Sequence, residues 1–148
     1  MIQHITVIGS GSRGMGIAHV FAQNGFTVHM VDIRQDALDR AMATIAKNMD
    51  RQVAKGSLSE ADKAASLARI IPTTRLEDGV KGADLVVEAA TENVDIKLQL
   101  FRELDHLAPE HCVLASNTSS ISITRIASVT KRQDKVVGMH FMNPVPVM

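Results

Sequence analysis

Three glycines at the spacing Gly9-x-Gly11-x-x-Gly14 follow the apolar run Ile5–Ile8 and open a segment with helical periodicity. In this arrangement the first glycine permits a tight turn and the second lets a pyrophosphate approach the backbone, while the third lets the helix pack closely on the strand. A helix that begins here also offers free N–H groups and the positive end of its dipole to phosphates. The pattern predicts the first strand, turn and helix of a parallel α/β sheet that binds a dinucleotide.

An acidic residue stands where a ribose-binding carboxylate is expected. Asp32 ends a second strand-like run, Phe26–Val31, close to the usual spacing of about 20 residues after the first glycine. Its charge would repel a 2′-phosphate, so NAD is favoured over NADP. Two alternatives remain: the turn serves folding alone with Asp32 as a solvated strand end, or Arg34 accepts a 2′-phosphate.

Short apolar runs alternate with helical segments along the rest of the chain, which indicates a doubly wound, mainly parallel sheet with helices on both faces. Further strands are predicted at residues 69–73, 84–88, 112–115 and 136–141. Helices are predicted over about residues 14–24, 94–107 and 123–129, with a turn around residues 76–81.

The segment from residue 36 to residue 68 is too long for a simple crossover connection. Apolar residues recur at helical spacing from Leu38 to Val53, which predicts an amphipathic helix. Gly56 is a candidate residue just past its C-terminus, and Ser59 with Asp62 is a candidate N-cap pair for a second helix that runs to residue 68. We therefore expect a helical hairpin projecting from the core of a single Rossmann-type domain over residues 1–148.

Composition argues against several classes of partner, although a balanced net charge still allows a local basic patch. The chain has 16 Lys plus Arg and 16 Asp plus Glu, so no net field attracts nucleic acid or an anionic membrane. No segment approaches the roughly 20 apolar residues of a membrane span, and no leader pattern precedes the first strand. One cysteine, Cys112, excludes an internal disulfide framework and is expected to be a buried structural thiol. We expect a cytoplasmic protein with no metal site.

A histidine ends the last predicted strand, at the sheet edge where ligands bind in open α/β folds. The imidazole of His140, with a pKa near neutrality, could take a hydroxyl proton while hydride leaves the same carbon. Asn143 could hold a polar group of the substrate. The alternative is a structural histidine that caps the strand.

Four segments in order along the chain resemble the NAD-binding domain of the 3-hydroxyacyl-CoA dehydrogenase family. They are GSGSRGMGIA at residues 9–18, VVEAATEN at residues 86–93, ASNTSS at residues 115–120 and GMHFMNPVPVM at residues 138–148. The resemblance covers essentially the whole chain and implies a Rossmann fold, an NAD cofactor and oxidation of (S)-3-hydroxyacyl-CoA to 3-oxoacyl-CoA. It implies that the cofactor is bound by Gly9, Gly11, Gly14, Met15 and Asp32.

The resemblance also implies a role for individual residues near the reaction. His140 matches the family's general base, Ser119 a residue that hydrogen-bonds the substrate oxygen and nicotinamide region, and Asn143 a residue that supports both. Positions that line the nicotinamide and its ribose are matched by Glu92, Lys97 and Asn117.

Lys55, on the hairpin, matches a cation for the phosphates of CoA. Together with Lys47 and Arg51 it could instead form a solvated helix face. Glu92 and Lys97 could likewise be surface charges.

Asn117 and Ser119 could be ordinary turn or cap residues. Arg13 departs from the family, which has an apolar residue there; its side chain could reach toward the pyrophosphate or lie in solvent.

In the resembling family the base pairs with a glutamate a few residues beyond the point where this sequence stops. A helical domain follows that closes the acyl-CoA cleft and forms most of the homodimer interface. We therefore expect this chain to be a truncated domain of a homodimeric parent, prone to self-association through apolar surface. The alternative to dehydrogenase activity is an NAD-binding module with negligible turnover.

Overall fold

The computed structural model of the chain describes residues 1–117 and 121–139. Its strands are β1 (His4–Ile8), β2 (Thr27–Val31), β3 (Ile70–Thr73), β4 (Leu85–Glu88), β5 (Val113–Ser116) and β6 (Val136–Gly138). Its α-helices are α1 (Ser12–Gln23), α2 (Gln35–Ala54), α3 (Glu60–Ala68), α4 (Leu76–Val80), α5 (Val94–Leu107) and α6 (Ile123–Ala127). A short 3₁₀ turn, Gln133–Lys135, precedes β6.

The described strands form one sheet in the order β3-β2-β1-β4-β5-β6, and every neighbouring pair is parallel. This is the Rossmann order, and the direction of winding reverses between β1 and β4. At such a switch point the loops after the two strands part and leave a crevice at the carboxyl edge. The predicted doubly wound parallel sheet is confirmed, and the glycine turn after β1 lies at this crevice.

Helices cover both faces of the sheet, so neighbouring strand residues are buried in opposite clusters. Val86 and Val87 are adjacent in β4 and wholly buried, but Val86 packs with Phe101 and Ile126 whereas Val87 packs with Ile17. Side chains alternate along a strand, and a strand covered on both faces is therefore apolar at nearly every position. This explains why the strands read as continuous apolar runs.

The helical hairpin predicted over residues 36–68 is present as α2 and α3. Gly56 adopts φ +79° after the end of α2, and the hydroxyl of Ser59 accepts a hydrogen bond from the Asp62 N–H at 3.0 Å, as predicted for the two caps. The structure adds that Leu38 and Ile45 of α2 are fully buried in the same cluster as β1 and β2. The hairpin is therefore packed on the domain through its apolar stripe.

Two predicted elements differ from the structure. The expected turn around residues 76–81 is the short helix α4, which places Gly79 against the side chain of Val31. The last strand was predicted to reach residue 141; the described part of it is Val136–Gly138, and residues 140–148 lie outside the described residues. In the part of the chain that is described, no helix is long and apolar enough to cross a membrane.

Candidate dinucleotide site

The three glycines of the turn occupy positions with different steric demands. A Cβ on Gly9, which has φ +102°, would lie 2.9 Å from the Cα of Ala90. A Cβ on Gly14 would lie 1.8 Å from the carbonyl oxygen of Gly9, so α1 can pack on the turn only without a side chain there. A Cβ on Gly11 would meet nothing within 4 Å. Gly9 and Gly14 are thus required by the fold, whereas Gly11 leaves space beside the N-terminus of α1.

The carboxylate of Asp32 is tied to the glycine turn. Its Oδ2 accepts hydrogen bonds from the backbone N–H of Ser10 at 3.1 Å and from the Ser10 hydroxyl at 2.7 Å, and its Oδ1 accepts one from the Arg34 N–H at 3.0 Å. Partial burial opposes ionisation of Asp32, but these hydrogen bonds outweigh it and lower its pKa. Asp32 is therefore an anion at neutral pH, held at the mouth of the switch-point crevice.

A cavity of about 770 Å³ lies at the carboxyl ends of β1, β2 and β4. This volume lies within the range of about 300–1,000 Å³ that is usual for small-molecule and cofactor sites. Its walls come from the glycine turn, the end of β2, the segment after β4 and one side of α5: Ile8–Gly11, Val31–Arg34, Thr74, Leu76, Ala89–Thr91, Asp95, Ile96, Gln99, Leu100 and Glu103. The open space at Gly11, the uncapped start of α1 and the anionic Asp32 together fit a dinucleotide.

A smaller cavity of about 180 Å³ lies beside the segment that follows β4. It is lined by Arg13, by the segment Ala89–Glu92 and by Asn117. The structure thus brings Glu92 and Asn117 together on the far side of the glycine turn. Arg13, whose side chain could have reached toward the pyrophosphate or lain in solvent, lines the same cavity.

Lys97 is buried inside the domain, so the alternative of a surface charge is wrong. Its side chain has 0% exposure, and its ammonium lies 2.8 Å from Oε1 of Glu88 and 3.1 Å from the hydroxyl of Ser116. Glu92 is the more distant carboxylate at 3.9 Å. In this arrangement the charge of Lys97 is neutralised within the protein.

Glu88 was not singled out from the sequence, and the structure places it at the centre of this cluster. Its side chain is also 0% exposed. Its Oε1 accepts a hydrogen bond from the Ser116 hydroxyl at 3.0 Å, while its Oε2 accepts the N–H groups of Ala90 and Thr91 at 2.8 and 3.1 Å. The carboxylate therefore holds the loop that forms the wall opposite Gly9. The available signal was an acidic residue that ends a strand whose other residues are all apolar.

The remaining predicted site residues are placed as follows. Met15 is partly buried and lines a third cavity, of about 450 Å³, beside the glycine turn. Lys55 is exposed at the end of α2 and lines none of these three cavities. Ser119, His140 and Asn143 lie outside the described residues. Within residues 1–117 and 121–139, no group of three or more His, Cys, Asp or Glu side chains is arranged to hold a metal ion.

Comparison with known proteins gives consistent matches over the whole chain. The sequence model of the 3-hydroxyacyl-CoA dehydrogenase NAD-binding domain matches residues 4–148. A 3-hydroxybutyryl-CoA dehydrogenase of Clostridioides difficile is 48% identical over 144 residues, which is 97% of this chain and 51% of that protein. Human mitochondrial hydroxyacyl-coenzyme A dehydrogenase is 46% identical over 154 aligned residues, covering 100% of this chain and 49% of its own length.

The backbone matches solved structures of the same kind. The crystal structure of (S)-3-hydroxybutyryl-CoA dehydrogenase from Ralstonia eutropha superposes with a TM-score of 0.96 at 48% identity, over 100% of this chain and 52% of that one. The chain spans about half the length of the curated relatives it matches.

Proposed function

The chain belongs to the 3-hydroxyacyl-CoA dehydrogenase family, whose NAD-binding domain it carries, and we propose that it serves the oxidation of (S)-3-hydroxyacyl-CoA to 3-oxoacyl-CoA. The observation that carries this proposal is the cavity of about 770 Å³ at the switch point of the sheet, between the glycine turn and Asp32. Simple 3-hydroxyacyl thioesters such as 3-hydroxybutyryl-CoA are the proposed substrates.

The described residues divide the binding of NAD between them. The turn from Gly9 to Gly14 and the start of α1 hold the diphosphate through backbone N–H groups, with Met15 beside them, and Asp32 accepts hydrogen bonds from the adenosine ribose. Glu92 and Asn117 line the nicotinamide side, in the cavity that they share with Arg13. Glu88 keeps the wall of the cleft in place through the Ala90 and Thr91 N–H groups.

Bound NAD supplies the acceptor for the hydride that leaves C3 of the substrate. For the carbon to become a ketone, the hydroxyl proton must also leave, and the proposal assigns its removal to the imidazole of His140 as general base. Ser119 is proposed to hydrogen-bond the substrate oxygen, and Asn143 to support the base and the substrate. These three roles rest on the family resemblance of the segments that contain them.

Lys55 is proposed as a cation for the phosphates of CoA. Its exposure at the end of α2 leaves its ammonium accessible to a ligand. The competing role, a solvated helix face shared with Lys47 and Arg51, predicts no effect of Lys55→Ala on the binding of acyl-CoA. A weakened affinity for acetoacetyl-CoA in that variant, with unchanged NAD affinity, supports the CoA role.

A second candidate function concerns the 148 residues by themselves: an NAD-binding module with negligible turnover. It is favoured by the match to about half the length of the relatives, because the other half of those proteins has no counterpart in this sequence. The two candidates are compatible if the domain acts as part of a longer protein.

One pair of measurements separates these candidates. NAD binding to the 148-residue chain is measured by titration calorimetry, and turnover is followed through NADH consumption with acetoacetyl-CoA. We expect binding with negligible turnover. Turnover near that of a full-length relative would contradict the module function, and absence of NAD binding would contradict both.

We further propose that the chain acts in the cytoplasm and self-associates, with a homodimer as the assembly of a full-length protein. The exposed apolar side chains of Ile71 and Val137, on the two edge strands of the described sheet, support self-association. Sedimentation equilibrium should show a mass above that of a monomer at high concentration; a monomer at all concentrations would contradict it.

A further inference from the structure

We propose that Asp36 is a specificity-determining residue for the cofactor. Its carboxylate forms ion pairs with two arginines that line a recess, and this recess would otherwise fit the 2′-phosphate of NADP. The inference rests on the dinucleotide site of the proposed function and adds a second subsite to it.

The recess is the third cavity, of about 450 Å³, and it adjoins the large one at the ribose end. The two cavities share Ser10, Gly11, Asp32 and Arg34 as lining residues. A group attached to a ribose that Asp32 holds can therefore enter the recess without crossing the body of the protein.

The lining of the recess is suited to an oxyanion. Arg34 and Arg40 supply two guanidinium groups, while Ser12 and Thr44 supply hydroxyls. Guanidinium groups form paired hydrogen bonds to phosphate oxygens, and they are the usual partners of phosphate in proteins. The apolar part of the lining comes from Met15 and the small side chains of α2.

Asp36, the second residue of α2, is hydrogen-bonded to Arg34 and forms a longer ion pair with Arg40. Its Oδ2 accepts a hydrogen bond from Arg34 Nη2 at 2.7 Å and its Oδ1 one from Arg34 Nε at 3.2 Å, so the pair is bidentate. Arg40 Nη1 lies 3.7 Å from the same Oδ2. The donor edge of Arg34 that would bind a phosphate is thus already occupied by a carboxylate.

The charges around the recess cancel in the chain as it stands. Asp32 and Asp36 balance Arg34 and Arg40, and a 2′-phosphate with a charge of about −1.5 to −2 gains no net attraction. Removal of Asp36 leaves the recess with one excess positive charge and frees the guanidinium of Arg34. Removal of Asp32 as well leaves two excess positive charges. Selection against NADP therefore depends on two carboxylates. Asp32 repels the 2′-phosphate directly, and Asp36 pairs with the arginines that would otherwise bind it.

The test compares two small nucleotides that need only the adenosine end of the site. Adenosine 2′,5′-bisphosphate and 5′-AMP are titrated into the wild-type chain and into Asp36→Ala. We expect Asp36→Ala to bind the bisphosphate about three- to tenfold more tightly than wild type, with 5′-AMP unchanged. The gain is modest because exposed charge pairs are weak, and it is measurable because the phosphate bears nearly two charges. Asp32→Ala/Asp36→Ala should raise the preference further.

Asp39→Ala is the matched control. Asp39 lies on the same helix, and its carboxylate accepts a hydrogen bond from Gln35 at 2.9 Å. Asp39→Ala removes the same charge as Asp36→Ala but leaves the lining of the recess unchanged. The affinity of Asp39→Ala for the bisphosphate should therefore equal that of wild type. Arg34→Ala in the Asp36→Ala background should abolish the gain. The gain should also shrink as salt is added, because exposed charges are screened.

No gain in Asp36→Ala, or an equal gain in Asp39→Ala, overturns the subsite while NAD binding by the wild-type chain leaves the proposed function intact. Failure of wild type to bind either 5′-AMP or NAD overturns the dinucleotide site itself and the subsite with it. Circular dichroism of each variant verifies folding, which should be retained because the Asp36 side chain is 57% exposed.

Discussion

The ammonium of Lys97 lies 2.8 Å from Oε1 of Glu88, and neither side chain is exposed to solvent. Glu88 ends β4 and Lys97 lies on α5, so the pair joins the strand to the helix that follows it. Ser116, directly opposite Glu88 in the register of β4 and β5, hydrogen-bonds to both. This buried cluster holds one wall of the proposed cofactor cleft through the Ala90 and Thr91 N–H groups, and the Glu88 and Lys97 charges balance only while both are present.

Removal of one charge from this pair should destabilise the domain strongly. Lys97→Met leaves the Glu88 carboxylate buried without its counter-ion, a loss of about 3–5 kcal/mol in the free energy of unfolding. Glu88→Gln/Lys97→Met removes both charges, and most of the loss should be recovered. Urea denaturation at neutral pH measures both. A double variant as unstable as Lys97→Met would contradict the buried ion pair.

The position of the loop after β4 should depend on the Glu88 side chain even without its charge. In Glu88→Gln/Lys97→Met the amide oxygen can still accept the Ala90 and Thr91 N–H groups, whereas in Glu88→Met/Lys97→Met it is absent. We expect the second variant to bind NAD on the order of tenfold more weakly than the first, because two hydrogen bonds of about 1 kcal/mol each are lost from the loop. Equal NAD affinities in calorimetry would show that Glu88 has no positioning role.

Substitutions at Gly14 and Gly11 should differ in effect: the first should lower stability and the second should mainly lower NAD affinity. Gly14→Ala places a Cβ 1.8 Å from the Gly9 carbonyl oxygen and should cost about 3 kcal/mol or more of stability. Gly11→Ala meets no protein atom within 4 Å and, at an N-cap, should cost no more than about 1 kcal/mol. Its Cβ would occupy the space proposed for the diphosphate, so NAD affinity should fall on the order of tenfold, or about 1.4 kcal/mol. Gly11→Ala with unchanged NAD affinity would argue against the assigned site.

Cys112 should be almost unreactive in the folded chain. Its side chain is 0% exposed, and burial raises the pKa of its thiol to about 11. Since the thiolate is the nucleophile, labelling by a disulfide reagent at pH 8 should be about two orders of magnitude slower than in the unfolded chain. The chain in denaturant is the control, and equal rates in both states would contradict the buried thiol.

Stability should fall in acid partly through Asp84. Hydrogen bonds from the His4 and Gln3 N–H groups and from His111 lower the pKa of this carboxyl in the folded state. A lowered folded pKa stabilises the domain above the unfolded value of about 3.9, and this contribution is lost as the pH falls below it.

Asp84→Asn should therefore cost about 1–2 kcal/mol at pH 7 and progressively less below pH 4, as measured by urea denaturation across pH. Asp39→Asn, an exposed carboxylate, is the control. A cost for Asp84→Asn that does not change with pH would argue against the ionised carboxylate as its source.

The amino-acid sequence by itself determined most of the elements and the kind of ligand. Periodicity and continuous apolar runs identified the strands and helices. Local residues identified some of their ends: Gly56 because glycine tolerates a left-handed φ, and Ser59 because its hydroxyl can cap a helix. The glycine turn and Asp32 were recognised because their spacing has a direct steric and electrostatic purpose. The family segments added the residues near the reaction.

Only the tertiary structure decided which charges meet. Lys97 was predicted to line the nicotinamide, with a surface charge as the alternative. It is buried, because packing of α5 on β4 and β5 makes it the counter-ion of Glu88. Glu88 and Ser116 are 28 residues apart and become neighbours through parallel register alone. The burial of an ionisable group depends on contacts between distant segments, and no local pattern encodes them. For the same reason, only the structure shows that Arg34 and Arg40 share a recess with Ser10 and Ser12.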